Sequence, residues 1–109
     1  MKIAIQTMDK EHVGENFGRA RFFAIYDTVE KTTTFLSNED NYEAAHGVGI
    51  QSVALLSRKG VHRVITYHVG PKAKETLERT GIEVFTLPED LKPVRIKEAI
   101  KIFLEENQQ

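Results

Sequence analysis

Two kinds of periodicity follow one another along this chain, and their order restricts the fold more than any single motif does. The first third is strand-like. In residues 1–7, Ile3 and Ile5 alternate with smaller or polar residues, the period of two expected of a β-strand. Residues 21–27 (Arg-Phe-Phe-Ala-Ile-Tyr-Asp) and 32–37 (Thr-Thr-Thr-Phe-Leu-Ser) are aromatic and β-branched, with the short polar turn Thr28-Val29-Glu30-Lys31 between them. Two strands joined this way predict an antiparallel hairpin. From Val48 the pattern becomes helical: Ile50, Val53 and Ala54 form an inward stripe widened by Leu56, and Gly60 supplies the stop. Residues 61–67 read as a strand. Gly70-Pro71 opens a second helix, with Ala73, Thr76, Leu77 and Thr80 facing inward and Gly81 at its end. Residues 82–85 are a last strand. Beyond Pro88 and Pro93, Ile96, Ala99, Ile100, Phe103 and Leu104 mark a final amphipathic helix.

The order β-β-β-α-β-α-β-α predicts an α/β fold with one mixed sheet. Strands one to three are antiparallel neighbours, and each later strand–helix–strand unit crosses over right-handed and leaves its strands parallel. With the fourth strand beside the first, the sheet order is 3-2-1-4-5 and strand two alone is reversed. Strands one, three, four and five then end on the same edge. Open α/β sheets bind ligands at the carboxyl ends of their strands.

Composition narrows the chemistry. The 109 residues suit one domain, 1–109, able to bury a core without staples. There is no cysteine, which excludes disulfides, thiolate nucleophiles and all-cysteine metal sites. A net charge of −1 gives no broad positive field for nucleic acid or acidic lipid. No apolar run is long enough for a membrane span and no signal-peptide pattern opens the chain, so a soluble, cytoplasmic protein is expected.

The shared edge collects most of the remaining chemistry. The polar loop 8–18 leaves strand one there, and the helix starts at Gly47–Gly49 and Gly70–Pro71 point free amides into it, which suits an anion. His12, His46 and His68 fall on this edge with Asn16, Phe17 and Arg19, whereas His62 falls at the opposite end. Each has an ordinary alternative. His46 reads as a ligand or a helix cap, and His68 as a ligand or a polar turn residue. Arg19 serves an acidic ligand or a salt bridge to Asp9, Glu11 or Glu15, and Phe17 and Phe22 suit the core. Gly47 and Gly49 allow close backbone approach or merely a tight turn.

Three segments in register carry a family resemblance. Asn16-Phe-Gly-Arg-Ala20 resembles an HFGRA-type motif, His46-Gly-Val-Gly-Ile-Gln51 an HGxGI-type segment, and Val69-Gly-Pro-Lys-Ala73 a GxGPxA-type turn. Together they resemble the dinitrogenase iron–molybdenum cofactor biosynthesis family, to about Phe85. The resemblance implies a three-layer ribonuclease H-like fold. It also implies a carrier, not an enzyme, for an anionic iron–sulfur or molybdenum–iron–sulfur cofactor or precursor. Taken with the shared edge, this makes Asn16, Gly18, Arg19, His46, Gly47, Gly49, His68 and Gly70 the expected binding residues, with His46 and His68 as metal ligands and cofactor-assembly proteins as partners. Asn16 stands where relatives often carry histidine, and Tyr67-His68 where they often carry Gly-Gly. The open edges of strands three and five allow a monomer or a weak homo-oligomer.

Catalytic alternatives lack their residues. A two-metal nuclease on this fold needs acids on the first strand, the first long helix and the fourth strand. Those segments carry Gln6, no acid in 48–59, and Ile65-Thr66-Tyr67. No GxSxG, GxxxxGK[ST] or HExxH motif occurs, and GxGxxG is incomplete because Ser52 follows Gly47 and Gly49. The rival reading is an interaction or regulatory module that binds no small ligand and works through an edge strand or the last helix.

Overall fold

The alternation at the start of the chain forms three antiparallel strands, β1 (Lys2–Thr7), β2 (Phe22–Asp27) and β3 (Thr32–Ser37). A computed structural model of the chain describes residues 1–42 and 48–107. Register runs from Lys2↔Asp27 to Thr7↔Phe22, and from Phe22↔Ser37 to Asp27↔Thr32. β4 (Arg63–Thr66) lies parallel to β1, and β5 (Glu83–Thr86) parallel to β4. The sheet order is β3-β2-β1-β4-β5, as the crossover rules predict. β4 and β5 are cut at Thr66 and Thr86, so the turns that follow begin at the carboxyl edge.

Helices cover both faces. α2 (Val48–Arg58) and α3 (Pro71–Thr80) pack on one, α4 (Ile96–Glu106) on the other. Ala4, Phe23, Ile25 and Val64 meet Val53, Leu56 and Leu77 on the first face, while Ile3, Ile5, Ala24 and Ile65 meet Ala99, Ile100 and Phe103 on the second. β1 is therefore buried on both sides, including the polar Gln6 and Thr7. No helix among the described residues is long and apolar enough to cross a membrane.

Several details depart from the sequence reading. The stretch after β3 contains a short helix, α1 (Glu39–Tyr42), and a single 3-10 turn (Glu89–Leu91) sits between the two prolines. The inward face of α2 carries Ser52, Val53 and Leu56, while Ile50 is 46% exposed and Ala54 is exposed. The reason is close helix packing. A Cβ on Gly49 would stand 3.0 Å from the Ala73 Cβ, so the small residue faces α3 and the larger Ile50 is turned out. In α3, Ala73 and Leu77 are buried and Thr76 is half-buried, but Thr80 is exposed. Its hydroxyl lies 3.0 Å from the carbonyl oxygens of Thr76 and Leu77. Gly81, at φ 77°, supplies the left-handed stop that its position after the helix predicts.

A cationic crevice at the carboxyl edge

The loop after β1 is polar by composition yet anchored by two apolar side chains. Val13 and Phe17 are buried, on opposite faces of the sheet. The Gly14 amide donates to the Gln6 carbonyl at 2.7 Å, and Phe17 packs 5.5 Å from Phe23 between ring centroids. Phe17 therefore serves the core, as its bland reading has it, while its ring also walls a crevice.

Two buried polar side chains fix the next residues. The Asn38 side-chain amide donates to the Ala20 carbonyl at 2.8 Å, with the Gly18 carbonyl at 3.4 Å. The Ser52 hydroxyl lies 3.3 Å from both the Gly18 carbonyl and Asn38 Oδ1, and Asn41 donates to that same oxygen at 2.9 Å. Asn38 is 1% exposed and Ser52 fully buried. Residues 18–20 are thus tied to α2 and to the segment after β3 from beneath. Neither residue was expected to support the site. The only signal was a lone polar position at the end of a strand and another on the inner face of a helix.

A parallel arrangement holds the β4–α3 turn. Gln6 Nε2 donates to the Gly14 carbonyl at 2.9 Å and to the Thr66 hydroxyl, which lies 3.2 Å from the His68 carbonyl. Gln6 Oε1 is buried without a hydrogen-bond partner. Gly70 then caps α3 with extended backbone (φ −65°, ψ 160°) and no side-chain cap. The first backbone bond of the helix runs from the Lys74 amide to the Gly70 carbonyl at 2.9 Å. The amides of Lys72 and Ala73 precede it and have no partner inside the helix.

Between these two supports lies an open crevice of about 660 Å³, a usual size for a small-molecule site. Asn16, Gly18 and Arg19 line one side, Gly49 the floor toward α2, and His68 and Gly70 the other. Pro71, Lys72 and Ala73 complete it from the first turn of α3. Lys72 was not expected, although its place directly after Gly-Pro fixes it in that turn. His46 and Gly47, the other two expected residues, lie outside the described residues. The salt bridge from Arg19 to Asp9, Glu11 or Glu15 does not form; among the described residues Arg19 has no ion-pair partner.

Two histidines lie elsewhere. The His12 Nδ1 stands 2.8 Å from Asp9 Oδ2, and its backbone bridges Arg95 on the α4 side. The amides of His12 and Glu11, each 2.8 Å from Asp9 Oδ1, together with the imidazole, hold the Asp9 carboxyl well below the usual carboxylate range. His12 is thereby committed to a local turn. His62 Nδ1 accepts from the Lys2 amide at 3.3 Å at the far end of the strands, a structural role.

The crevice lies beside the junction of β1 and β4, where successive connections leave the sheet in opposite directions. Sheet and crevice together define a small α/β protein with a ligand-sized recess at a topological switch point. The chain belongs to the dinitrogenase iron-molybdenum cofactor family, whose model matches residues 1–106. An uncharacterized protein of Methanocaldococcus jannaschii is 34% identical over 110 residues, covering 96% of this chain and 86% of that one. The apo form of the orange protein from Desulfovibrio gigas shares the fold with a TM-score of 0.87 at 29% identity, over 96% of this chain and 88% of that one. A Thermotoga protein of the DUF35 family gives a TM-score of 0.79 at 33% identity, over 95% and 87% of the two chains.

Proposed function

We propose that this protein is a non-enzymatic carrier that binds an anionic metal–sulfur cofactor, or its precursor, in the crevice and hands it to cofactor-assembly proteins. The observation that carries the reading is one of charge. Arg19 and Lys72 line the crevice together with the open amides of α3, and among the described residues no carboxylate lines it, although the chain as a whole has a net charge of −1. Such a recess attracts anions and rejects bare cations. Membership of the iron–molybdenum cofactor family and likeness to a protein solved in an apo form support the same reading.

The donor set fits a cluster better than a lone ion. With no cysteine in the sequence, the protein supplies no thiolate, and among the described residues no three metal-binding side chains converge. A cluster that brings its own sulfides needs only one or two protein donors, and His46 and His68 are those donors in this reading. Asn16, Gly18, Arg19, Gly47, Gly49 and Gly70 would supply hydrogen bonds, charge and room for close approach. Holding by so few protein donors, helped by hydrogen bonds and charge, suits transfer rather than permanent residence.

The test uses tetrathiomolybdate, a coloured molybdenum–sulfur dianion, followed by gel filtration and visible absorbance of the protein fraction. Wild type should retain colour. Arg19→Glu should bind at least about tenfold more weakly, or ~1.4 kcal/mol, and the double variant His46→Ala, His68→Ala should also lose retention. Wild type holding no more chromophore than the double variant would remove the proposal.

A further inference from the structure

A second recess, independent of the crevice, lies on the other face of the sheet. It encloses about 320 Å³ between β3 and α4. Phe35, which is 43% exposed, and Thr33 form its strand side, and Ile96 and Ile100 its helix side. Lys10, Arg95 and Lys97 rim it, against a single carboxylate among the described residues, that of Glu11.

Among the described residues no strand pairs with the outer edge of β3, and its register against β2 is known. The Asn38 amide donates to the Arg21 carbonyl at 2.7 Å, one step beyond the Phe22↔Ser37 pair. Antiparallel alternation then turns the backbone groups of residues 36, 34 and 32 toward β2 and those of Thr33, Phe35 and Ser37 outward. Thr33 and Phe35 lie opposite Tyr26 and Ala24, on the α4 face. The residues with free edge amides are therefore the ones whose side chains line the recess. β3 carries no charge and no proline, the usual guards of an exposed edge.

Lys10 adds an independent sign of purpose. It adopts φ 67°, a left-handed conformation unusual outside glycine, held by the Thr7 hydroxyl accepting its amide at 3.0 Å. The result is an ammonium 4.6 Å from the Phe22 ring centroid and 5.6 Å from that of Phe35. A glycine would make the turn without strain but would leave the rings without a cation.

We infer that β3 accepts an added strand from a partner protein, an extended segment with an apolar side chain over Phe35 flanked two residues away by carboxylates. Backbone bonds to Thr33 and Phe35 supply the docking, and the alternate side chains enter the recess. Charge selects the occupant. In a two-fold β3–β3 pairing of two copies, the same three cations would come from both sides, whereas acidic residues answer Lys10, Arg95 and Lys97 directly. The surface lies across the sheet from the crevice, so a docked partner leaves the crevice open.

The experiment is an NMR titration of the full chain with an acetylated heptapeptide alternating threonine with glutamate, valine and glutamate, and with its lysine-for-glutamate counterpart. Shifts and slowed amide exchange at Thr33 and Phe35 are expected with the acidic peptide, and at least about tenfold weaker binding with the basic one. Thr33→Pro, which removes only an outward amide, should abolish the shifts. Lys97→Glu, on an exposed helix position, should weaken binding several-fold. Equal binding of the two peptides, no binding of the acidic one, or an unchanged affinity in Lys97→Glu would overturn the inference. So would concentration-dependent shifts of the same amides without peptide, which would assign the edge to a second copy.

Discussion

The two faces of the sheet are covered unequally, and each recess follows from that inequality. Five strands at about 4.8 Å spacing span roughly 20 Å, while a helix with its side chains is about 10–12 Å across. On one face α2 and α3 pack side by side through Gly49 and Ala73, and two helices suffice. Their approach leaves space at the α3 N-terminus, above the strand ends, and that space is lined by the cations Arg19 and Lys72 among small and apolar residues. On the other face α4 is the one helix among the described residues, over β1 and β4, and it leaves Thr33 and Phe35 of β3 exposed. A gap between helix ends exposes amides and loop side chains, which suit a small anion. A gap beside a lone helix exposes strand edge and apolar side chains, which suit a length of chain.

The contrast in coverage makes the largest prediction. Leu56 is fully buried under α2, and Leu56→Ala should cost about 2–5 kcal/mol in urea unfolding through lost burial and a residual cavity. Phe35 is larger, yet Phe35→Ala should cost less than ~1 kcal/mol because 43% of it is already exposed. Comparable losses at the two sites would mean that the α4 face is closed in solution and would break the comparison.

Support beneath the crevice comes next in size. Asn38→Ala strips the donor from the buried Ala20 carbonyl and should destabilise by ~1–3 kcal/mol, the cost of an orphaned buried acceptor. Ser52→Ala should cost less, since its two contacts are both 3.3 Å long. Denaturant midpoints measure both, and retention of tetrathiomolybdate by folded Asn38→Ala should fall because Gly18 and Arg19 are then held less firmly, with the Ser52 contact left to Gly18. A stable Asn38→Ala variant with unchanged retention would mean that the loop is positioned by its other anchors, Phe17 and the Ser52 contact to Gly18 among them.

These residues also explain what the sequence could reveal. The hairpin was legible because strand periodicity reports burial on a flat surface, and the sheet order because parallel crossovers have one hand. The inner face of α2 was read correctly at Val53 and Leu56 but misread at Ile50 and Ala54, because its two specialised positions are invisible to a count of apolar residues. Gly49 faces in for closeness and Ser52 for a hydrogen bond, while Ile50 faces out. α1 is a single four-residue turn, too short to show a period. Topology placed Asn16, Arg19, Gly49, His68 and Gly70 on one edge, and the motif at residues 16–20 added Gly18. Lys72 was overlooked although it stands inside the segment 69–73, and His12 was placed on the edge because its spacing gave no sign that Asp9 claims it.

The loop that contains Asp9 and His12 serves both recesses, sending Lys10 to one face and Asn16–Arg19 to the other, and a pH measurement tests how it is held. The folded-state carboxyl of Asp9 is shifted down from its ordinary value of 3.8 by the amides of His12 and Glu11 and by the His12 ring. A depressed acid stabilises the folded state fully above its unfolded pKa, and the contribution disappears as pH falls through the folded one. Asp9→Asn retains an acceptor for the two amides but not the charge. Its melting temperature should therefore lie slightly below that of wild type at neutral pH, and the gap should close on acidification below about pH 4. The effect is the smallest of the set because the Asp9 side chain is 54% exposed and solvent screens the pair. A gap that widened below pH 4 would show that the charge opposes the turn, leaving the hydroxyl of Thr7 and the anchors Val13 and Phe17 to hold the loop between the two faces.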